Sequence, residues 1–211
     1  MRLPIVLLML GTAAFSQTAG QLELHGARAS QAEYRGKSAV NLTPADGAPG
    51  GNALAIVQGP AFDNGTIEAD LAGAPAKNAM EGARGFIGIA FRVQPAASKF
   101  ELIYIRPTNG RADDQLRRNH STQYISFPDY EWNRLRKEAT RQYESYVDLV
   151  PGEWTKLRVE VSGSKARLYV HGAPQPVLVV NDLRLGDGKG AVALWIGEGT
   201  EAYFTNLRLS E

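Results

Sequence analysis

Apolar and polar residues alternate along most of the chain, and glycine or proline separates the alternating runs. In the run 66–71 the odd-numbered residues are apolar and the even-numbered ones are polar, which is typical of a half-buried strand. Two further runs, 154–161 and 165–171, flank the short turn 162–164 and predict a β-hairpin. The almost wholly apolar segment 86–93 predicts a strand covered on both faces. Such runs predict an all-β protein, a two-sheet antiparallel jelly-roll sandwich.

The first sixteen residues follow the layout of a secretory signal. Arg2 precedes an apolar run that ends at the small residues Ala14 and Ser16, so cleavage is expected before Gln17. The run is shorter than the roughly 20 residues that cross a bilayer, and we therefore predict no membrane insertion. The chain has no cysteine to carry a lipid. We expect an exported protein, periplasmic or extracellular, soluble and not a lipoprotein.

Composition excludes several kinds of chemistry. The 23 lysines and arginines against 22 acidic residues give a net charge of +1, which offers no support for a nucleic-acid partner. The absence of cysteine excludes disulfides, thiol nucleophiles and cysteine-ligated metals. The sequence contains neither a zinc-protease motif nor an EF-hand loop, and we predict no cofactor. The oligomeric state is left open.

One long segment interrupts the strand pattern. We divide the mature chain into a lead-in, 17–33, and a sandwich domain, 34–211, with an insertion at 107–153. Within it, 121–126 fits a strand and 130–143 is the only run outside the signal with a helical pattern. The segment 106–146 holds eight basic and six acidic residues and six of the chain's eighteen aromatic residues. Connections of this length are uncommon unless they are functional or contain their own elements.

The composition of segment 106–146 suits carbohydrate recognition, in which aromatic rings stack on sugars and polar groups bind hydroxyls. The candidate ligand-binding residues, on this segment and the neighbouring strands, are Arg92, Arg106, His120, Gln123, Tyr124, Trp132 and Tyr143. Two alternatives are a satellite core beneath a long loop and a protein–protein surface. Trp195 fits the floor of a groove or the core between the sheets, and its burial tendency favours the core.

Several strings resemble those of concanavalin A-like lectin/glucanase domains. They lie between about residues 34 and 209, at 62–70, 88–92, 100–107, 151–159, 166–170, 190–197 and 202–207. The chain is most similar to exported bacterial 3-keto-disaccharide hydrolase-like and laminin G-like domains. The resemblance implies a concanavalin A-like sandwich whose concave face holds carbohydrate in many relatives. Structural calcium is common in that superfold, so a calcium ion stays compatible with the sequence.

The resemblance also bears on catalysis. Family 16 glycoside hydrolases carry Glu-x-Asp-x-x-Glu on one strand, and this chain matches it with Glu68 and Asp70 but has Gly73 at the third position. Glycine cannot transfer a proton, so the paired-carboxylate mechanism is not expected. Elimination from a 3-keto-glycoside needs only a base, for which His120 and Glu144 are the candidates. We therefore predict an exported carbohydrate-binding domain. The alternatives are a hydrolase or lyase acting on 3-keto-glycosides and a non-catalytic protein-interaction module.

Overall fold

The protein folds into two antiparallel sheets in a computed structural model that describes residues 21–46 and 51–210 and the backbone of Ala13–Ala14. In spatial order, the first sheet consists of β13 (Leu178–Val180), β12 (Lys165–Val170), β11 (Thr155–Ser162), β6 (Gly65–Pro75), β15 (Thr200–Ser210), β4 (Lys37–Pro44) and β3 (Ala27–Tyr34), with β1 (Ala13–Ala14) also paired to β15.

The second sheet has seven strands. They run in the order β10 (Glu144–Ser145), β9 (Thr122–Phe127), β8 (Phe100–Ile105), β7 (Ile87–Val93), β14 (Ala191–Gly197), β5 (Asn52–Val57) and β2 (Leu22–His25). Three short helices accompany it, α1 (Pro107–Gly110), α2 (Gln115–Asn119) and α3 (Trp132–Glu138), together with a 3-10 turn at Pro95–Ala97. The prediction of an all-β, two-sheet antiparallel sandwich is confirmed.

The core lies between the sheets and follows the predicted alternation. On β6, Ile67, Ala69 and Leu71 are buried, while the alternate polar residues are half-buried on the outer face. Every residue of β7 is buried, as its apolar pattern predicts. One face of β7 packs into the core, and its opposite face is covered by other parts of the chain.

The lead-in 17–33 was predicted to precede the sandwich, and this boundary is wrong. It contains β2 and β3, which are edge strands of the second and first sheets. Their alternation is weak because an edge strand buries few side chains, and β3 is exposed or half-buried at all but its first residue. The predicted signal, 1–16, lies outside the described residues except for Ala13–Ala14. In the described part of the chain, no helix is long and apolar enough to cross a membrane.

The insertion 107–153 belongs to the second sheet rather than lying apart from it. Its strand β9, predicted at 121–126, pairs with β8 and places Gln123 opposite Tyr104. The two-residue strand β10 then pairs with β9 and places Glu144 opposite Gln123. The insertion thereby widens the sheet by two strands and brings its own polar side chains to one row across the sheet.

Candidate functional site

A cleft of about 420 Å³ opens on the face of the second sheet that points away from the core. Strand register places Trp195, Gly88, Tyr104 and Gln123 side by side on β14, β7, β8 and β9. Because side chains alternate between the faces of a strand, their neighbours, such as Ile89, point into the core instead. This row forms the floor of the cleft and one of its sides.

Aromatic rings meet above a glycine in this floor. A Cβ atom on Gly88 would lie 2.4 Å from the Ile103 carbonyl oxygen, so only glycine fits there. The rings of Tyr104 and Trp195 approach over this gap, with centroids 4.9 Å apart. Trp195 donates from Nε1 to Asn52 Oδ1 at 2.8 Å, which fixes its ring. Trp195 is buried, as its burial tendency predicted, but it lines the cleft rather than the core between the sheets.

Arg106, at the end of β8, is the most extensively bonded polar group of the cleft. Its Nη2 donates to the Tyr104 hydroxyl at 2.7 Å and to Gln123 Oε1 at 3.2 Å. Its Nη1 donates to the backbone oxygen of His120 at 3.0 Å. Arg106 is buried, so these bonds hold the tyrosine, the glutamine and the start of β9 in fixed positions.

Arg106, His120 and Arg136 form one wall of the cleft. All three side chains contact Glu144, which lies beneath this wall. Arg136 donates to both of its carboxylate oxygens, from Nε to Oε2 at 3.2 Å and from Nη2 to Oε1. Arg106 Nη1 approaches Oε1 at 3.4 Å, and His120 Nε2 lies 3.4 Å from Oε2. The Glu144 side chain is only 4% exposed. A single buried carboxylate therefore positions two arginines and one histidine.

His120 is held in its neutral form at neutral pH. Burial lowers the pKa of the imidazole, the positive charges of Arg136 and Arg106 lower it further, and Glu144 acts in the opposite direction. Burial likewise raises the pKa of the Tyr104 hydroxyl. The cleft therefore offers a neutral imidazole and a protonated phenol beside arginine charges.

Trp132 and Asn109 add an apolar rim and a free acceptor. Trp132 is 44% exposed, and the guanidinium carbon of Arg136, one helical turn later on α3, lies 4.9 Å from its ring centroid. Asn109, on α1, is buried and donates from Nδ2 to the His120 backbone oxygen at 3.1 Å. Its Oδ1 has no hydrogen-bond partner among the described residues. A buried carbonyl without a donor is costly, so this atom suits a ligand hydroxyl.

The structure brings together most of the residues expected to bind a ligand. Arg106, His120 and Trp132 line the cleft. Gln123 bonds Arg106 beside it, and Glu144 lies beneath the wall. The two candidate bases, His120 and Glu144, are thus neighbours.

Arg92 does not belong to this group, and its expected binding role is corrected. It is 1% exposed, and its guanidinium donates to the backbone oxygens of Asp63, Gly163 and Gly186 at distances of 2.5 to 3.3 Å. These three carbonyls belong to separate loops. Arg92 therefore ties three loops together and does not line the cleft.

Tyr124 and Tyr143 are also removed from the candidate site because they face the core. Tyr124 donates to the buried Glu101 at 2.9 Å, and burial raises the pKa of its hydroxyl. Tyr143 donates to Asp182 Oδ2 at 2.6 Å, and its raised pKa is about 12, again chiefly through burial. These two aromatic residues therefore belong to the main core and form neither the expected binding surface nor a separate satellite core.

Sequence reasoning missed several residues that line the cleft, namely Arg84, Phe86, Tyr104, Arg117 and Arg136. The one usable signal was the pairing of the strands around Gly88, which places Tyr104 beside Trp195. Among the described residues, no three histidine, aspartate or glutamate side chains are grouped closely enough to hold a metal ion. Whether the protein uses calcium stays untested.

Comparison with known proteins defines the fold. No protein-family model and no curated protein matches the sequence. Carbohydrate-binding module CBM66 from Bacillus subtilis is 14% identical, with 89% of this chain and 97% of that chain covered and a TM-score of 0.57. The Ca²⁺/Man3GlcNAc-bound exoplasmic/lumenal domain of VIP36 is 12% identical, with 92% of this chain and 84% of that chain covered and a TM-score of 0.55.

A third solved structure, a native glycosidic hydrolase, is 15% identical, with 98% of this chain and 97% of that chain covered and a TM-score of 0.52. The chain has the concanavalin A-like lectin and glucanase fold. This confirms the superfamily resemblance at the level of the fold. The closer likeness to 3-keto-disaccharide hydrolase-like and laminin G-like domains stays a prediction. A concanavalin A-like fold carries many functions, so function must be argued from the cleft itself.

Proposed function

We propose that the concanavalin A-like domain binds carbohydrate in the cleft on its second sheet. The observation that carries the proposal is the joint presence of exposed and buried aromatic rings with polar groups already fixed by hydrogen bonds. Trp132 presents a half-exposed ring, while Tyr104 and Trp195 form an apolar floor. Sugars offer apolar C–H faces and hydroxyls together, and this lining matches both.

Several further observations support the proposal. The volume of about 420 Å³ lies in the range typical of small-ligand sites. The Oδ1 atom of Asn109 is an acceptor without a donor among the described residues, and His120 in its neutral form offers a second group that can donate or accept. Two of the structurally similar proteins are, by name, a carbohydrate-binding module and a domain bound to Man3GlcNAc. Export through the predicted signal, 1–16, would expose the cleft to periplasmic or extracellular glycans.

A glycan array followed by isothermal titration calorimetry tests this proposal. We expect the purified protein to retain at least one class of oligosaccharide and to bind it with one site per chain. The variant Trp132→Ala should lose most of that affinity, while Leu116→Ala, which removes a more exposed apolar side chain outside the cleft lining, should keep it. No binding across plant, microbial and animal glycans would contradict the proposal.

A second candidate function is favoured by the pair His120 and Glu144. A neutral imidazole beside a buried carboxylate is equipped to remove a proton from carbon. On a 3-keto-glycoside, His120 would take the C2 proton, the freed electron pair would form a C1–C2 double bond, and the aglycone oxygen would leave with the electrons of the C1–O bond. Aglycone release that is lost in His120→Gln would support this enzyme. Binding of such substrates without turnover would contradict it.

A further inference from the structure

Two arginines that line the cleft, Arg84 and Arg117, form no ion pair with any acidic side chain among the described residues. Arg84 donates from Nη1 to the backbone oxygens of Glu81 and Ala83, at 2.7 and 3.1 Å. The Nε atom of Arg117 is buried and has no hydrogen-bond partner in the described part of the chain. Arg106 and Arg136 differ from them because both contact Glu144.

The backbone holds these two arginines at one end of the cleft. Arg84 precedes β7, and its carbonyl accepts a hydrogen bond from the Thr108 backbone N–H at 3.3 Å, which ties it to α1. Arg117 lies on α2, which packs against α1. Asn109, with its free Oδ1, belongs to α1 as well. Among the described residues, this end of the cleft therefore combines two guanidinium groups that have no carboxylate partner with an acceptor that has no donor.

Charge is unevenly distributed in the lining, which carries four arginines but only two carboxylates, Glu131 and Glu198. Glu198 follows β14 and lies against Gly51 at the start of β5. It is thus separated from β8 and α1 by β7. Glu144, beneath the wall, compensates at most one of the two arginines that it binds. The side chains that line the cleft therefore carry more positive than negative charge.

We propose that the carbohydrate recognised by this cleft carries an anionic group, a carboxylate or a sulfate, which binds between Arg84 and Arg117. This inference rests on the proposed function and narrows it to acidic saccharides. The planar guanidinium fork matches both anions geometrically. A partly buried site strengthens the attraction relative to open solvent. A neutral sugar would leave both arginines without a counter-charge.

Matched oligosaccharides test the inference without altering the protein. The array compares oligogalacturonate with its methyl ester, and a sulfated galactan tetrasaccharide with its desulfated, uncharged form. We expect binding to at least one anionic member and about tenfold or greater loss on removing its charge. The two pairs distinguish a carboxylate ligand from a sulfated one. Equal binding to charged and neutral members would overturn this inference but support carbohydrate binding, whereas no binding to any saccharide would overturn both.

Charge-matched variants locate the anion within the cleft. Arg84→Gln and Arg117→Gln should each weaken binding of the acidic ligand by about tenfold more than they weaken binding of its neutral counterpart. Arg28→Gln removes the same charge from an exposed residue of β3 and should leave both affinities unchanged. Raising the salt concentration should weaken the acidic ligand selectively. Equal losses in the Arg28→Gln control would show that net charge, not this site, attracts the ligand.

Discussion

Arg136 binds Glu144 through two parallel hydrogen bonds, with its Nε 3.2 Å from Oε2. The contact joins α3 to β10 across the open side of the cleft. The same arginine stacks against Trp132, so the carboxylate indirectly fixes the most exposed ring of the site. Because Arg106 and His120 approach the other edges of Glu144, the cleft wall depends on one buried charge.

Replacing that charge should destabilise the whole wall. Glu144→Gln leaves Arg106 and Arg136 without a carboxylate in a buried setting, which typically costs about 3–5 kcal/mol. Glu153→Gln breaks an exposed ion pair with Arg35 and should cost no more than about 1 kcal/mol. Urea unfolding of both variants measures the difference. Similar free energies of unfolding would show that Glu144 does not hold the wall together.

Trp132 should contribute to binding and only modestly to stability. Its ring is 44% exposed, so Trp132→Ala removes only part of the buried surface of a core tryptophan and should lower the free energy of unfolding by about 2 kcal/mol, less than the about 3–5 kcal/mol typical in a core. Loss of a stacked ring should weaken ligand binding by about tenfold. Calorimetric titration and thermal unfolding of the same sample separate the two effects. A large drop in stability with unchanged affinity would assign Trp132 a structural role.

The local pattern was sufficient to predict the central strands, because a strand with one buried face alternates and a strand buried on both faces, such as β7, is apolar throughout. The burial of Ile67 and Leu71 on β6 follows directly from the sequence pattern. The edge strands β2 and β3 escaped the prediction because most of their side chains are solvent-facing and carry no strong pattern. What failed was therefore the boundary of the domain and not its class.

The site was only half predictable for a related reason. Arg106, His120 and Trp132 were found because they belong to one unusual segment of sequence. Tyr104 and Trp195 meet only through the pairing of β8, β7 and β14, which links residues that are far apart in the chain.

The alternation of side chains along β9 explains why Tyr124 was wrongly predicted to bind a ligand. Gln123 and Tyr124 are consecutive on β9, so they cannot both face the cleft. Gln123 does, and Tyr124 is turned into the core, where its hydroxyl donates to Glu101. The alternation rule alone would have excluded one of the two, but which one depended on the register with β8.

Arg92 should be important for stability and irrelevant to binding. Arg92→Met leaves the carbonyls of three loops without donors and should lower the free energy of unfolding by about 3 kcal/mol or more. Arg134→Met removes an exposed arginine of α3 that pairs with Glu138, and should cost about 0.5 kcal/mol at most. Ligand affinity measured below the unfolding temperature should match the unaltered protein in both. A loss of affinity confined to Arg92→Met would contradict its assignment as a loop tie.

His120 should titrate at lower pH than an ordinary histidine. Since burial lowers its pKa in the folded protein, the folded state binds the proton less tightly than the unfolded state. The stability that the neutral imidazole contributes is therefore present above the usual pKa of about 6.5 and is lost as pH falls through the lowered value. The chain has only three histidines, so NMR titration of their Cε1 protons is direct, with His120→Gln giving the assignment. A midpoint above that of a free histidine would contradict the prediction.

The buried Glu101 should give stability the opposite pH dependence. Burial raises the pKa of this carboxyl, against the effect of hydrogen bonds from the Leu185 N–H and the Tyr124 hydroxyl. The folded state then binds the proton more tightly than the unfolded state, so stability from Glu101 is full below about pH 4.3 and is lost as pH rises through the raised pKa.

Glu101→Gln tests this because it keeps an acceptor for Leu185 N–H and removes the ionisation. The free energy of unfolding of the variant, relative to the unaltered protein, should therefore increase from pH 4 upward, by no more than about 1.4 kcal/mol per pH unit for one proton. Urea titrations at successive pH values measure this difference directly. A difference that stays constant, or that falls as pH rises, would show that Glu101 is charged in the folded protein at no cost in free energy.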